Sequence, residues 1–359
     1  MKNSLFLTVV ISLVVGFLSG IIGYSLFGLN NVGWPLFGRL NFSDLNSNQR
    51  IVIDQPRNVV VEQDLQLKQV ENDFLPTLIN IYPIKSGSGV LAKAYLPTEI
   101  LGQGFVLTAD GWVVTTKETI ANLKGKYLAI GYQSKKYQLE SFIIDEATGL
   151  VFGKMSASGL TVAKIGRSQE LISGQTLVLA SQRSKISLVH VRSIGYNFKS
   201  VPEAVQSSED FGKELFLDED LTEKENNGAV VVNLKGEIVG LVAGQRVVLA
   251  DYFKNIISQV LDKQKISRPT LGLKYFDLSQ TEGLVEFGEK GALVYGSPAK
   301  DSAAFGKIQD GDLIKKVNDT ELNASQSLSE IINGYQPGNK VELLVKRGEK
   351  EESVEVVLK

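Results

Sequence analysis

Between Leu75 and Val248 the chain breaks repeatedly into short apolar or alternating runs: LINIYPI, GQGFVLTADGWVVTT, YLAIGYQ, LESFIID, TLVLAS, SLVHVRSIGY and GAVVVNLKGEIVGLVAG, separated by turn residues. Strands of this length and spacing argue for an all-β barrel or sandwich. The pattern then changes period. Over Ala250–Gln264, Phe253, Ile256, Ile257, Val260 and Leu261 fall on one face at helical spacing, which predicts an amphipathic helix closing the first domain. Arg268–Pro269 marks a boundary. Beyond it, Thr270–Lys359 holds strand patterns near LGLKY, GALVYG, DLIKKVND, KVELLVKR and SVEVVLK and a helix from about Ser325 to Asn333, a compact α+β domain.

The residue inventory limits the chemistry. With no cysteine and His190 as the only histidine, a zinc site of His and Cys ligands, a thiol nucleophile and a disulfide are all ruled out. No cofactor and no metal are expected. The 38 basic and 40 acidic side chains nearly balance, without long basic blocks, which leaves no electrostatic footprint for nucleic acid. At 359 residues the chain has room for two ordinary domains with accessory segments.

From Asn3 to Gly38 there is no charged residue, and the apolar run Leu5–Leu29 is long enough to cross about 30 Å of hydrocarbon as one helix. The run continues through aromatics to Trp34, unlike a cleaved signal peptide, so residues 1–38 read as an uncleaved single-pass membrane anchor. Lys2 precedes the span and Arg39 follows it, pointing to a cytoplasmic N-terminus and an extracytoplasmic body. Residues 39–74 read as a polar juxtamembrane spacer with one short strand at Asn58–Glu62. Two folded domains are expected after it, over 75–266 and 267–359.

Three motifs carry a family resemblance. GQGFVLTADGWVVTTKETI (Gly102–Ile120), DEATGLVFGKM (Asp145–Met155) and ENNGAVVVNLKGEIVGL (Glu225–Leu241) are similar, in order and spacing, to the signatures of the HtrA/Deg family of trypsin-like serine endopeptidases. The closing helix and the LGL start of the next domain extend the resemblance from about Leu75 to Lys359. It implies a mainly β fold: a trypsin-like double β-barrel followed by an α+β PDZ domain, behind one N-terminal transmembrane helix. It also implies oligomerisation, commonly as trimers, and a role in envelope protein quality control.

The catalytic positions depart from the family. Its histidine, aspartate and serine correspond here to Glu118, Gly149 and Asn227. A carboxamide is no nucleophile, so acyl transfer through Asn227 is chemically closed. Gly149 has no group with which to orient a base, and Glu118 would need a hydroxyl or water beside it. The turn that forms the family's oxyanion hole reads Glu225-Asn226-Asn227-Gly228, with Glu225 in place of a glycine. His190 reads as a strand histidine rather than a relocated base. Ser207 and Ser208 read as solvated loop serines, and Lys117 and Lys224, which flank altered positions, as solvated lysines rather than halves of a Ser-Lys dyad. The stretch Glu203–Glu225 holds nine acidic against two basic residues, and reads as a solvated, mobile loop.

The second domain keeps its pattern. TLGLKY (Thr270–Tyr275) resembles the PDZ carboxylate-binding loop and edge strand, and Ser297–Asp319 the PDZ core, with a longer stretch between Ala299 and Gly311. A PDZ groove adds a C-terminal peptide as an extra strand and captures its carboxylate with backbone N–H groups. Leu271, Gly272 and Leu273 would supply that edge. Leu328, Ile331 and Ile332 would line the groove or pack in the core. The reading reached from the sequence is a membrane-anchored pseudoprotease that binds peptides or unfolded exported proteins; the alternative is a divergent serine-type endopeptidase.

Overall fold

The computed structural model of the protein describes residues 2–28, 57–87, 89–182, 185–280 and 290–359. The chain forms two compact units, Met1–Glu62 and Gln63–Lys359. In the first, α1 (Lys2–Gly28) occupies most of the uncharged N-terminal run. Its side chains are described over residues 8–21, where all are exposed. Among the described residues no helix is long and apolar enough to cross a membrane. The expected span, Leu5–Leu29, extends past the described side chains at both ends, and Trp34 and Arg39 lie outside the described residues.

The expected strand at Asn58–Glu62 is helical instead, the start of α2 (Arg57–Phe74). Val59, Val60 and Val61 favour an extended backbone locally. Leu67, Val70 and Phe74, however, recur at helical spacing and pack on the core, and tertiary burial outweighs the local preference.

Six strands follow, β1 (Leu78–Pro83), β2 (Gly102–Val106), β3 (Trp112–Thr116), β4 (Tyr127–Ile130), β5 (Lys136–Asp145) and β6 (Leu150–Met155). They close into a barrel in the order β1-β2-β3-β6-β5-β4. Ile81, Val113, Ala129 and Met155 are wholly buried inside it.

The next strands are β7 (Lys164–Ile165), β8 (Thr176–Ser181), β9 (Lys185–Gly195), β10 (Val205–Ser207), β11 (Glu214–Leu217), β12 (Val230–Val232), β13 (Glu237–Ala243) and β14 (Arg246–Leu249). All but β10 form one sheet, ordered β11-β9-β8-β12-β13-β14, with β7 paired to β13. Its end strands β11 and β14 lie against each other. The sheet therefore curls as a second barrel does, without a ladder between its ends among the described residues. The closing helix forms as two pieces, α3 (Ala250–Lys254) and α4 (Ile257–Lys263), with Phe253, Ile256 and Val260 buried as the spacing predicts.

The last domain contains β15 (Lys274–Asp277), β16 (Ala292–Val294), β17 (Leu313–Val317), β18 (Thr320–Glu321), α5 (Leu328–Ile332), β19 (Lys340–Arg347) and β20 (Lys350–Val357). Ser327 caps α5: its backbone N–H donates to Glu330 Oε2 at 2.9 Å while its side chain accepts from the Glu330 backbone. The sheet order is β10-β15-β16-β17-β19-β20. The edge strand β10 thus comes from the preceding domain's stretch of chain.

Polar contacts fasten this domain to the curled sheet and the first barrel. Arg268 donates from Nε and Nη2 to the two oxygens of Asp145, at 2.9 and 2.5 Å, and also bonds Asn333 Oδ1 and the Tyr252 carbonyl. Its guanidinium stands 4.6 Å from the centre of the Phe211 ring. Lys213 Nζ reaches Glu330 and the Ser325 carbonyl, on the flank of α5.

Candidate functional site

Two places are built from the residues singled out in the sequence. The first lies where the barrel meets the curled sheet. Gln103 in β2 donates its N–H to the Asn227 carbonyl at 2.9 Å, and its side-chain amide to the Ser181 carbonyl at 3.2 Å. Gly228 has φ +70°, and a Cβ there would stand 1.9 Å from the Gln103 carbonyl, so only glycine permits this approach. On the barrel side, the Lys117 N–H donates to the Gly149 carbonyl at 2.9 Å, which sets the Glu118 turn beside Gly149. Glu118 is exposed, and a Cβ at Gly244, just past β13, would lie 3.7 Å from its Oε1.

The turn before Asn227 is tightly wound. Lys224–Asn226 form one 3₁₀ turn, and the Asn227 N–H donates back to the Lys224 carbonyl at 3.1 Å. The Gly228 N–H goes to the Val242 carbonyl at 3.0 Å, and Asn226 Nδ2 to the Asp220 carbonyl at 3.1 Å. An oxyanion hole needs backbone donors directed outward at a developing charge. The Asn227 and Gly228 donors are directed inward. Glu225 is half-buried on the same turn.

His190 is exposed, as expected of a strand histidine. Its backbone N–H and ring Nδ1 both meet the Asp218 carboxylate, at 2.7 and 2.8 Å. Those bonds, the backbone one first, hold Asp218 below the usual carboxylate range.

The second place is the PDZ edge, and there the reading of Ser207 and Ser208 as solvated loop residues is corrected. Ser208 is 1% exposed. β10 pairs antiparallel with β15, setting Val205 opposite Phe276, Gln206 opposite Tyr275 and Ser207 opposite Lys274. The pairing continues into the loop, where the Ser208 N–H donates to the Leu273 carbonyl at 2.9 Å and the Leu273 N–H to Ser208 Oγ at 3.2 Å. The N–H groups of Leu271 and Gly272 both donate to Glu209 Oε1, at 2.9 and 2.8 Å. Gly272 has φ +75°, and a Cβ there would meet that of Ser302 at 2.3 Å. Its glycine lets the loop turn its donors toward one point. Leu328, Ile331 and Ile332 are buried in the core with Leu271 and Leu273.

The acidic stretch is therefore not a free loop throughout. Its middle, Val205–Leu217, runs through β10 and β11, with Phe211, Lys213 and Leu215 buried. Sequence reasoning gave Glu209 and Gln103 no role; the available signal was that Gln103 stands in the GQGF motif and Glu209 directly follows the two serines.

Comparison with known proteins agrees with this architecture. Residues 269–358 match the model of the PDZ domain family. A probable periplasmic serine endoprotease DegP-like from Pseudomonas fluorescens is 27% identical over 281 residues, 72% of this chain and 56% of that protein. The chain thus spans little more than half the length of that relative. Serine endoprotease DegS from Haemophilus influenzae is 23% identical over 345 residues, covering 90% of this chain and 93% of its own. The solved structure of the HtrA-type protease AlgW with decapeptide superposes with a TM-score of 0.59 at 17% identity, covering 81% of this chain and 97% of its own. The chain has a mainly β, trypsin-like protease fold followed by a PDZ domain. Its relatives are HtrA/DegP-type serine proteases.

Proposed function

We propose that this protein is an HtrA-like pseudoprotease of the cell envelope, anchored by a single N-terminal membrane span, that binds peptides or unfolded exported proteins through its PDZ domain. The observation that carries the inactive reading is at Asn227. A carboxamide stands at the nucleophile position, and its backbone N–H is bonded to Lys224 within the chain. Changing the side chain alone does not rebuild such a site, because the position matching the family's histidine is an exposed glutamate and that matching its aspartate is a glycine. The divergent-endopeptidase alternative has no comparable observation in its favour.

The binding reading rests on the three backbone donors of Leu271, Gly272 and Leu273 beside a strand-accepting sheet edge. The AlgW structure contains a decapeptide, which makes a peptide the natural occupant to test. The anchor reading rests on the uncharged run Asn3–Gly38 of the sequence. An extracytoplasmic body fits the periplasmic relatives. Assembly into a homo-oligomer, a trimer by resemblance, is part of the same proposal.

The test is a casein and peptide-library cleavage assay on the purified full chain in detergent, with a fluorophosphonate probe alongside. Absence of cleavage and labelling is the expected result. Cleavage that survives repurification and is lost in Glu118→Gln overturns the inactive reading.

A further inference from the structure

The PDZ edge is occupied. Val205–Ser207 fills the strand position that a bound peptide would take, in the antiparallel sense, and its chain direction leads toward the carboxylate loop. At the end of that strand there is no chain terminus. The Glu209 side chain brings a carboxylate instead, and its Oε1 accepts the consecutive N–H groups of Leu271 and Gly272. Ser208 Oγ and Ser207 Oγ donate to the same carboxylate at 2.7 and 2.6 Å, so four donors converge on it. Charge-assisted bonds from backbone N–H to carboxylate are among the stronger hydrogen bonds.

We infer that Val205–Glu209 is a resident internal ligand of the PDZ groove, with Glu209 standing in for a C-terminal carboxylate, and that an external C-terminal peptide binds only by displacing it. This rests on the reading of residues 269–358 as a peptide groove. The segment is tethered on both sides. Downstream, the buried pair of Lys213 with Glu330 pins the chain four residues past Glu209 to the groove's own helix α5. Upstream, Ala204 is buried just before β10. Such tethering gives a high effective concentration of the internal strand. The apparent affinity for an external peptide falls by the fraction of molecules in which the groove is open. Opening leaves the Leu271, Gly272 and Leu273 donors free for a terminal carboxylate.

The absence of cysteine makes a reversible lock practicable. Ser207 and Lys274 are direct cross-strand partners, and their neighbours Ser208 and Leu273 carry the bonded pair, so Ser207→Cys with Lys274→Cys places two thiols within disulfide reach. The probe is a fluorescein-labelled octapeptide copying residues 201–208 and ending in a free carboxylate, with its C-terminal amide as control. On the full chain, Glu209→Ala is expected to bind the free-acid probe about tenfold or more tightly than the unaltered protein does. The oxidised double-cysteine variant should not bind it, and its reduced form should bind at least as tightly as the unaltered protein, because the Ser207 hydroxyl bond to Glu209 is lost with the substitution. Hydrogen exchange provides a readout independent of any probe. The amides of Leu271 and Gly272 should exchange about tenfold or more faster in Glu209→Ala, while the cores of both domains keep their protection.

Unchanged exchange at Leu271 and Gly272 overturns the internal ligand, as does probe binding that is measurable and equally tight in the oxidised and reduced lock. If no variant binds any free-acid peptide although Glu209→Ala deprotects the loop, the internal strand is upheld as an occupant, and the reading of the groove as a peptide receptor is what fails.

Discussion

Lys213 Nζ lies 2.8 Å from a carboxylate oxygen of Glu330, with the two side chains only 6% and 7% exposed. One partner belongs to the acidic stretch of the first domain and the other to α5 of the second, so a desolvated ion pair joins the domains. Glu330 is further held by the Ser327 N–H and by Tyr252 Oη at 3.5 Å. Burial, with Glu330 second, pushes the Tyr252 hydroxyl far above its ordinary range, so it stays protonated and able to donate.

Breaking such a pair from one side leaves a buried charge without its counterion. Lys213→Met is expected to destabilise the protein by about 3–5 kcal/mol. Lys213→Met combined with Glu330→Gln should recover a large part of that loss, because the orphaned charge is gone. Urea denaturation of the two variants measures the difference; equal midpoints would mean that the pair contributes nothing as a pair.

The Arg268 contacts make a second prediction. Its fork grips both oxygens of Asp145, a residue that is 2% exposed, and its face covers Phe211. A lysine keeps the charge but loses the fork and the flat stacking surface. Arg268→Lys should therefore cost about 2–3 kcal/mol, read as a shifted denaturation midpoint, and should loosen the second domain, read as faster proteolysis after Gln264.

Asn227→Ser is expected not to restore cleavage or fluorophosphonate labelling. On the proposed correspondence a serine there would still have Glu118 and Gly149 in place of a base and its orienting group, and an amide turned in toward Lys224. Labelling above the level of the unaltered chain would show that the turn can reopen.

Gly228 is a structural test of the same turn. A methyl group there would stand 1.9 Å from the Gln103 carbonyl, at a φ of +70°. Both effects are unfavourable, and the contact is with backbone that cannot rotate away. Gly228→Ala should lose about 3 kcal/mol or more of stability, measured by thermal unfolding. An alanine variant as stable as the original would mean that the barrel and the curled sheet separate at little cost.

Much of this architecture was legible because it follows from periodicity. The alternating runs became the strands of barrel and sheet, and Phe253, Ile256 and Val260 marked the closing helix at the expected spacing. Helix α5 is shorter than its pattern, since the Ser327 cap fixes its start. The strand expected at Asn58–Glu62 failed because the local preference of three valines is outweighed by the burial of Val70 and Phe74 further along the same helix. At the groove, the side chains of Ser208 and Glu209 look ordinary for a polar loop. Their role arises from a strand pairing across more than sixty positions of sequence, and local pattern contains no record of such a pairing.

Asp277 gives the prediction for pH. It is 3% exposed, one carboxylate oxygen accepts the Ser279 N–H and hydroxyl at 2.9 and 2.5 Å, and the other has no partner among the described residues. Burial raises its pKa above the ordinary 3.8, against the lowering effect of Ser279 and Lys213. In the window between 3.8 and that raised value the folded state binds more protons than the unfolded one. Stability therefore falls as pH rises through the window, and the loss persists at neutral pH. Asp277→Asn removes the buried charge, so it should be more stable than the unaltered chain at pH 7 and should lack this part of the pH dependence. Urea midpoints at pH 4.5 and pH 7 measure both. A variant that is less stable at pH 7 would mean that the ionised carboxylate has a partner that stabilises it.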